Sequence, residues 1–497
     1  MRKFDYDVAV LGGGSAGYAA ARTAAGEGLK TVVIEGGSEV GGLCILRGCM
    51  PSKALLYSAE VMHLVRHAGA WGIRTKEATL DFPAVMARKA RLISSFADYR
   101  RGQLENGKFD FLRAHANFID QHSLKLNLLP DVASQPSRQR RPSATPKLEA
   151  TERILTARHF VIATGSVVAA PPLPSLTEIG YITSDEALSL ERLPKSLIVL
   201  GGGAIACELA QCFTRFGVKV TMIQRSPHVL REFDEDAAGV IETVLRRDDV
   251  KLLTATKLLD AWRSGRHKGV TFSHAGKKLR VQAEEILLTL GRTPNTASLG
   301  LEHAGVTLDQ GRITTNTRMQ TSAPHIFAAG DCTGPHEIVH IAIQQAEIAA
   351  KNIAHPRRQH VMDYRLLTNV VFTDPQVATV GLTEKAAAGR QIPFLAASYP
   401  FNDHGKSLIM EALDGFVKLL ANPKTGEILG GACVGPLGGE LIHEIVAAMA
   451  KRMTVQELAV MPHYHPTLAE IWTYPAEELA ERIKPQKAKP KSRTAGL

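Results

Sequence analysis

Cys44 and Cys49 are separated by four residues in Gly41-Gly42-Leu43-Cys44-Ile45-Leu46-Arg47-Gly48-Cys49-Met50-Pro51-Ser52-Lys53, at the head of a helix-prone run. A helix N-terminus favours the thiolate, which is the form that exchanges with disulfides. The pair therefore reads as a dithiol that cycles with a short-loop disulfide; the plainer alternative is two inert buried cysteines. Near the other end of the chain, Pro462-His463-Tyr464-His465-Pro466-Thr467-Leu468-Ala469-Glu470 sets a carboxylate five residues after His465. A carboxylate in that position can orient an imidazole and raise its basicity, which makes an acid/base dyad.

The elements that must position these groups include two nucleotide-binding units. The first runs from a strand at Tyr6–Leu11 through Gly12-Gly13-Gly14-Ser15-Ala16-Gly17, an alanine-rich helix reaching Glu27, and a strand at Lys30–Ile34 that ends in Glu35. Gly12, Gly14 and Gly17 allow a tight turn and close approach of a pyrophosphate to a helix N-terminus, while Glu35 can accept from a ribose. The cysteine run follows directly. Lys53 is either a surface lysine or a charge placed near a flavin. About 190 residues on, Ser196–Leu200, Gly201-Gly202-Gly203-Ala204-Ile205-Ala206, a helix with Glu208 and a strand at Val218–Gln224 repeat the pattern. Gly201 and Gly203 keep their places and Ala206 stands in the third. Glu208 is either an ordinary helix-face acid or a buried partner for Lys53, because an unpaired buried charge is costly. The second unit ends in Gln224-Arg225 instead of an acid, with Arg231 six residues later. Guanidinium groups bind a ribose 2′-phosphate, which favours NADP over NAD; the alternative is two solvent-facing arginines.

Between and after these units, helical spacing covers 58–107 and short strands are expected in 109–128. Residues 130–150, rich in Pro, Ser, Gln and Arg, read as an insertion loop. Strands at Ile154–Leu155 and Phe160–Ile162 lead to Ala163-Thr164-Gly165-Ser166, where Thr164 and Gly165 are candidate cofactor contacts. Pro171-Pro172-Leu173-Pro174 marks a domain crossing, and Leu290-Gly291-Arg292-Thr293-Pro294-Asn295, with Gly291 a further candidate contact, closes the second unit. A strand at Ile326–Ala328 brings Asp331 to the start of a turn before a helix from Ile338 to Ile353. Asp331 either holds the polyol chain of a flavin or caps that helix. Residues 361–480 change texture, with strands first and helices from Gly439.

A chain of 497 residues exceeds one core and implies about three or four domains. The six cysteines do not make a disulfide scaffold, and Cys207, Cys212, Cys332 and Cys433 read as small core residues. No second pair follows at ligand spacing, so no metal site is expected. No apolar run of about 18 residues suggests a membrane span, and the start lacks a signal-peptide core, so a cytoplasmic protein is expected. The net charge of +10 does not point to nucleic acid. Much of the excess sits in Arg138, Arg140, Arg141 and Lys147, and in a tail with Lys484, Lys487, Lys489, Lys491 and Arg493, read as solvated and disordered.

Taken in order, both nucleotide units, the Cys44/Cys49 pair and the His465/Glu470 segment resemble the flavoprotein disulfide reductases, the dimeric family of dihydrolipoyl dehydrogenase, glutathione reductase and mercuric reductase. The likeness runs from about residue 5 to 480. It implies an α/β fold with two Rossmann-like, doubly wound dinucleotide-binding domains and a C-terminal α+β dimerisation domain. By this resemblance, residues 1–170 form the FAD-binding domain, 171–290 the NAD(P)-binding domain, 291–360 a central segment completing the first, 361–480 the interface of a homodimer and 481–497 a tail. Carried over by position, Cys44 is the interchange thiol, Cys49 faces the flavin in a charge-transfer contact, and Lys53 pairs with Glu208 beside the ring. His465, oriented by Glu470, comes from the other subunit as acid/base. Pro51-Ser52-Lys53-Ala54-Leu55-Leu56 and the His463–Glu470 stretch look most like dihydrolipoyl dehydrogenase, whereas Arg225 to Arg231 is similar to the NADP stretch of glutathione reductase. Arg47, between the cysteines, either favours an anionic substrate or points to solvent. The function implied is electron transfer between NAD(P)(H) and a small dithiol/disulfide or a lipoyl-carrying protein, with a low-molecular-weight disulfide reductase, a mercuric-reductase-like protein and a flavin redox sensor or scaffold as the rivals.

Overall fold

Four β-sheets of three or more strands, packed with helices, carry the structure, a computed structural model that describes residues 3–129 and 152–483. The expected insertion at 130–150 and the basic residues beyond Ile483 lie outside the described residues. In the first sheet, Tyr6–Leu11 runs parallel to Thr31–Glu35 on one side and to Glu152–Ile162 on the other. Asp110–Phe118 and Ser123–Leu128 continue it, and Ile326–Ala328 returns from far along the chain to pair parallel with Glu152–Ile162. Short runs of Val, Ile and Leu buried on both faces are the usual mark of such central parallel strands; Val8, Val10, Val32, Val33 and Val161 are fully enclosed.

On one side of this sheet the helix Ser15–Gly26 packs against the helix Val339–Ala354. The facing residues are mostly alanine, with Ala20, Ala21 and Ala24 meeting Ala346, Ala349 and Ala350 in one core. Small side chains let the two backbones approach closely. Gly17 instead brings the start of Ser15–Gly26 close to the turn after Tyr6–Leu11, since a Cβ there would collide with the carbonyl oxygen of Gly12.

The second nucleotide unit builds a four-stranded parallel sheet in the order Glu285–Leu288, Ser196–Leu200, Lys219–Ile223, Lys251–Leu253. Beside it stands a three-stranded antiparallel sheet, Thr256–Ser264, His267–His274 and Lys277–Ala283. Its hairpins turn on two residues each, Gly265-Arg266 and Ala275-Gly276. Ala275 and Gly276 both have positive φ, as a turn matched to strand twist requires. The C-terminal sheet is antiparallel, in the order Thr368–Val371, Gln376–Gly381, Ile428–Gly435, Phe416–Ala421, Leu395–Pro400. The helix Gly438–Ala450 covers one face of it, and the fully buried Trp472 anchors the chain's last turns through its indole N–H on the Leu441 carbonyl.

Three expectations need correction. The two strands expected at Ile154–Leu155 and Phe160–Ile162 are one strand, Glu152–Ile162. Its first half pairs antiparallel with Ser123–Leu128 and its second half parallel with Tyr6–Leu11, so the exposed Arg153 and Arg158 lie within one continuous strand and make no break. Helix does not fill 58–107. The helix Cys49–His67 and a short 3-10 turn end at Gly72 with φ +74, and a new helix, Phe82–Glu105, starts where the Asp81 carboxylate accepts from the Ala84 N–H with Pro83 in the first turn. Lastly, Asp331 does not cap the helix Val339–Ala354, whose N-cap is Ile338; Asp331 opens a separate 3-10 turn.

The Gly17 contact gives a direct test. Gly17→Ala should lower the unfolding free energy by an amount of order 1–3 kcal/mol, the usual cost of an overpacked contact, and so lower the denaturant midpoint. Ala206→Gly in the second unit, whose helix already carries the methyl, should cost about 1 kcal/mol or less. Equal midpoints for Gly17→Ala and the parent chain would show that the helix start and the Gly12 turn are free to separate.

Candidate active site

A single continuous cleft of about 1970 Å³ runs between the two nucleotide units and is floored by the cysteine segment. Its walls include Gly12, Gly14, Glu35, Thr164, Gly165 and Asp331 from the first unit, and Gly201, Gly203, Glu208, Arg225, Arg231 and Gly291 from the second. The cleft also holds Cys44, Cys49 and Lys53. Gly17 and Ala206, read from the sequence as cofactor contacts, do not line it. They sit one helical turn behind the loops, where their small size serves packing.

The first loop fits a dinucleotide. Gly12 has φ +103, and a side chain there would collide with the carbonyl of Ala163. The helix Ser15–Gly26 has no side-chain cap and no acid in its first turn, so its leading N–H groups are left for an anion. Glu35 is locked in place by the N–H groups of Gly13 (2.7 Å) and Gly37 (2.6 Å), which still leaves carboxylate lone pairs for a ribose hydroxyl.

In the second loop the residue at the matching place behaves differently. The Gln224 side chain folds under Gly202, accepting from the Arg225 N–H at 3.1 Å and turning its amide nitrogen toward the His228 carbonyl. The strand end thus presents no negative charge, while Arg225 and Arg231 stand exposed at the rim. Arg231 pairs with Glu232 at 2.8 Å. The helix Ala204–Arg215 also lacks a side-chain cap.

Where the two units meet, Ser166 and Arg292 do work that the sequence did not single out. The Asp331 carboxylate accepts the Ser166 hydroxyl at 2.7 Å, and Ser166 in turn accepts from Arg292 Nε at 2.7 Å. The short strands Ser166–Val168 and Arg292–Pro294 pair antiparallel, and the Asn295 N–H donates to the Gly165 carbonyl. Gly165 and Gly291 take the positive φ values these crossings need. Thr164 donates to the Asn295 carbonyl at 2.7 Å. Ser166 and Arg292 stand inside the quoted runs 163–166 and 290–295, beside the candidate contacts Gly165 and Gly291, which is the signal that could have singled them out.

Cys44 lies in the short helix Gly42–Leu46 and Cys49 begins the helix Cys49–His67. Both are half-buried thiols. A hydrogen bond from Cys44, helped by the charge of Lys53, pulls Cys49 down to about 7 despite its burial; the same bond and burial push Cys44 up. The pair therefore holds its first negative charge on Cys49. Lys53, one turn along that helix, meets both carboxylate oxygens of the buried Glu208 at 3.0 and 3.2 Å. Glu208 also accepts from the Phe372 N–H at 2.9 Å, and the Phe372 ring lies 4.4 Å from the Lys53 ammonium. Phe372 is a contact the sequence reading missed. Arg47 lines the same cleft and pairs with Glu39.

His465 stands apart from these groups within one chain. Its side chain is 79% exposed, its Nδ1 is 2.9 Å from Glu470 Oε2, and it is not a wall of the cleft. Cys207, Cys212, Cys332 and Cys433 are buried, where desolvation pushes each thiol up. Among the described residues, no group of three or more His, Cys, Asp or Glu is arranged to hold a metal ion, and no helix is long and apolar enough to cross a membrane.

Comparison with known proteins gives a consistent result. The family model described as pyridine nucleotide-disulphide oxidoreductase matches residues 6–346, and that of the same family's dimerisation domain matches 367–476. A dihydrolipoyl dehydrogenase of Chlamydia pneumoniae is 33% identical over 473 residues, covering 94% of this chain and 95% of its own. Among solved structures, LpdA from Mycobacterium tuberculosis superposes with a TM-score of 0.82 at 28% identity, covering 95% of this chain and 99% of that one. The HOCl-induced flavoprotein disulfide reductase RclA from Escherichia coli, as its Cu(II) complex, gives 0.81 at 26% identity, with 96% and 100% coverage.

The charge placement on the sulfur pair can be measured. In the reduced protein, thiolate absorbance should rise as one sulfur ionises with a midpoint near pH 7. The Cys49 value lies below that of an ordinary thiol, so the thiolate is favoured above that midpoint and lost as pH falls through it. Lys53→Met should move the midpoint upward. Cys49→Ser should remove it, and a midpoint that survives Cys49→Ser would assign the charge to the wrong sulfur.

Proposed function

The chain belongs to the pyridine nucleotide-disulphide oxidoreductases, and from that premise we propose that it moves electron pairs between NADP(H) and a lipoyl-type dithiol/disulfide through Cys44 and Cys49. The observation that carries this reading is the placement of Cys44, Cys49 and the Glu208-paired Lys53 in one cleft shared by both nucleotide loops. We assign residues 1–170 with 291–360 to binding FAD, 171–290 to the pyridine nucleotide and 361–480 to a homodimer interface. The contacts to FAD are Gly12, Gly14, Glu35, Thr164, Gly165, Asp331 and Lys53; those to the pyridine nucleotide are Gly201, Gly203, Arg225, Arg231 and Gly291.

FAD, when bound, supplies the two-electron relay between the nicotinamide and the Cys49 sulfur. The residues of the chain handle the thiol chemistry. In the reductive direction His465 takes the Cys44 proton as the Cys44 sulfur attacks one sulfur of the substrate disulfide, forming a mixed disulfide. The other half leaves as a thiolate and takes the proton carried by His465. The Cys49 thiolate then attacks Cys44, which releases the second half and closes the Cys44–Cys49 disulfide. In the oxidative direction His465 removes the proton of the incoming dithiol, a contribution of roughly 10²–10⁴-fold for a well-placed base. Because His465 does not reach Cys44 within its own chain, it serves the partner subunit's pair, and the dimer is the catalytic unit.

A second reading keeps the same residues and changes the substrate. The uncharged Gln224 and the rim arginines favour NADPH, which suits a reductase of a low-molecular-weight disulfide such as oxidised glutathione.

Steady-state assays of the FAD-loaded dimer with dihydrolipoamide, oxidised glutathione and coenzyme A disulfide separate the two readings. The lipoyl reading expects the highest kcat/KM on dihydrolipoamide, and Cys49→Ser should abolish turnover on every substrate. Unimpaired disulfide reduction by Cys49→Ser would remove the mechanism. For the nucleotide, Arg225→Ala with Arg231→Ala should raise KM for NADPH by about tenfold or more while leaving that for NADH within about twofold, on the scale of lost charge-assisted bonds to a phosphate. A parallel rise in both would place the arginines outside the 2′-phosphate contact.

A further inference from the structure

Glu470 has a second imidazole on it. His404, the residue just before the short helix Gly405–Ile409, is fully buried and brings its Nε2 to 3.5 Å from Glu470 Oε1, while Glu470 Oε2 meets His465 Nδ1 at 2.9 Å. The Thr467 N–H completes the carboxylate's set at 3.3 Å on Oε1. On its far side, His404 Nδ1 lies 2.8 Å from the hydroxyl of Ser407, which is itself fully buried.

Two features single out this histidine. Its Nε2 is a buried polar atom without a hydrogen bond of normal geometry, a costly state in a native core. What it faces at 3.5 Å is the carboxylate that orients the acid/base. Catalytic hydrogen bonds are often long in a free protein and shorten in the working complex. The tautomer follows from charge. A ring lone pair turned toward a carboxylate is repelled, so the proton sits on Nε2 and Nδ1 accepts from the Ser407 hydroxyl. Burial pushes His404 below its usual value, which disfavours the charged ring. The other titratable groups packed around it are aromatic or already paired. Tyr474 is edge-on to His404 and stacks on Tyr399 at 4.0 Å, and the Tyr399 hydroxyl bonds Asp403. On the segment leading to His465, His463 is paired with Glu444 at 2.7 Å.

We infer that His404 is a positioning residue of the thiol chemistry, its Nε2–H holding Glu470 from behind so that the opposite oxygen faces His465. The inference rests on the acid/base role given to His465 above. The Nε2–H also spreads the charge of Glu470 and directs its positive end along the line to His465, which limits how tightly His465 keeps a proton. A base that must both take and release the thiol proton gains from that limit.

The test has two arms on full-length, FAD-loaded protein. Nitrogen-15 histidine NMR reads the tautomer without any substrate. The inference expects His404 as the neutral Nε2–H form, and a proton on Nδ1, or a charged ring, overturns it. The second arm is kinetic. His404→Phe removes the donor and fills the space, whereas His404→Gln puts an amide N–H where Nε2 stood. His404→Phe should lower kcat on the thiol substrate roughly tenfold, the scale of one orienting hydrogen bond. KM for the pyridine nucleotide should stay unchanged, and the acid limb of the kcat–pH profile should move to higher pH. His404→Gln should restore most of kcat and return the limb toward its original position. A profile for His404→Phe that superposes on the parent's, or moves to lower pH, overturns the inference, as does a Gln variant no better than Phe. If the parent protein turns over no thiol substrate while NMR finds the Nε2–H form, the proposed function fails and the placement of His404 stands.

Discussion

The site depends on one buried charge pair. Glu208 carries a full carboxylate inside the protein, and Lys53 answers it with both oxygens engaged. Removing either partner would leave the other uncompensated in a medium where isolated charges are expensive. The pair also joins three separately folded pieces. Lys53 stands on the helix that Cys49 begins, Glu208 on the helix of the second nucleotide unit, and the N–H that Glu208 accepts belongs to Phe372 beside the C-terminal sheet. One apolar core runs under all three, with Leu55, Ala206, Phe213, Val371 and Val434 in contact. The charge felt by Cys49 is therefore set by how the pieces dock, and not by the short cysteine segment alone.

Much of this was legible in the residue order because it rests on local rules. A strand, a glycine turn, a helix and an acid at fixed spacing describe one compact unit, and the second copy could be read by its departures from the first. Lys53 and Glu208 could be paired on paper because each would be costly alone. What stayed hidden was set by tertiary contact. Ser166 and Arg292 matter because two short strands from opposite ends of the second unit lie side by side. His404 meets Glu470 across a gap that no spacing rule spans. The three-stranded antiparallel sheet carries ordinary turn signals at Gly265 and Gly276, yet its strands mix Lys, Arg and His with apolar residues and show no clean alternation.

The two nucleotide loops show how one architecture is tuned by single residues. Both glycine turns are fixed by collisions that any Cβ would cause, with Ala163 in one case and Thr289 in the other. The difference lies at the strand end. Glu35 gives its carboxylate to two backbone N–H groups and lines the cleft, whereas Gln224 spends its amide on its own neighbours and leaves the rim to arginine. The same fold thereby offers one strand end that presents a carboxylate and one that presents none.

The return of Ile326–Ala328 to the first sheet has a consequence for biosynthesis. That strand, and the helix Val339–Ala354 lying on Ser15–Gly26, come after the whole second nucleotide unit. Domains generally fold as the ribosome delivers them, earliest first. Here the earliest segment must wait: the alanine face of its first helix stays wet until residue 354 has emerged, although the interposed unit is already free to fold. The first sheet and the loop it carries are accordingly completed late in the life of the nascent chain.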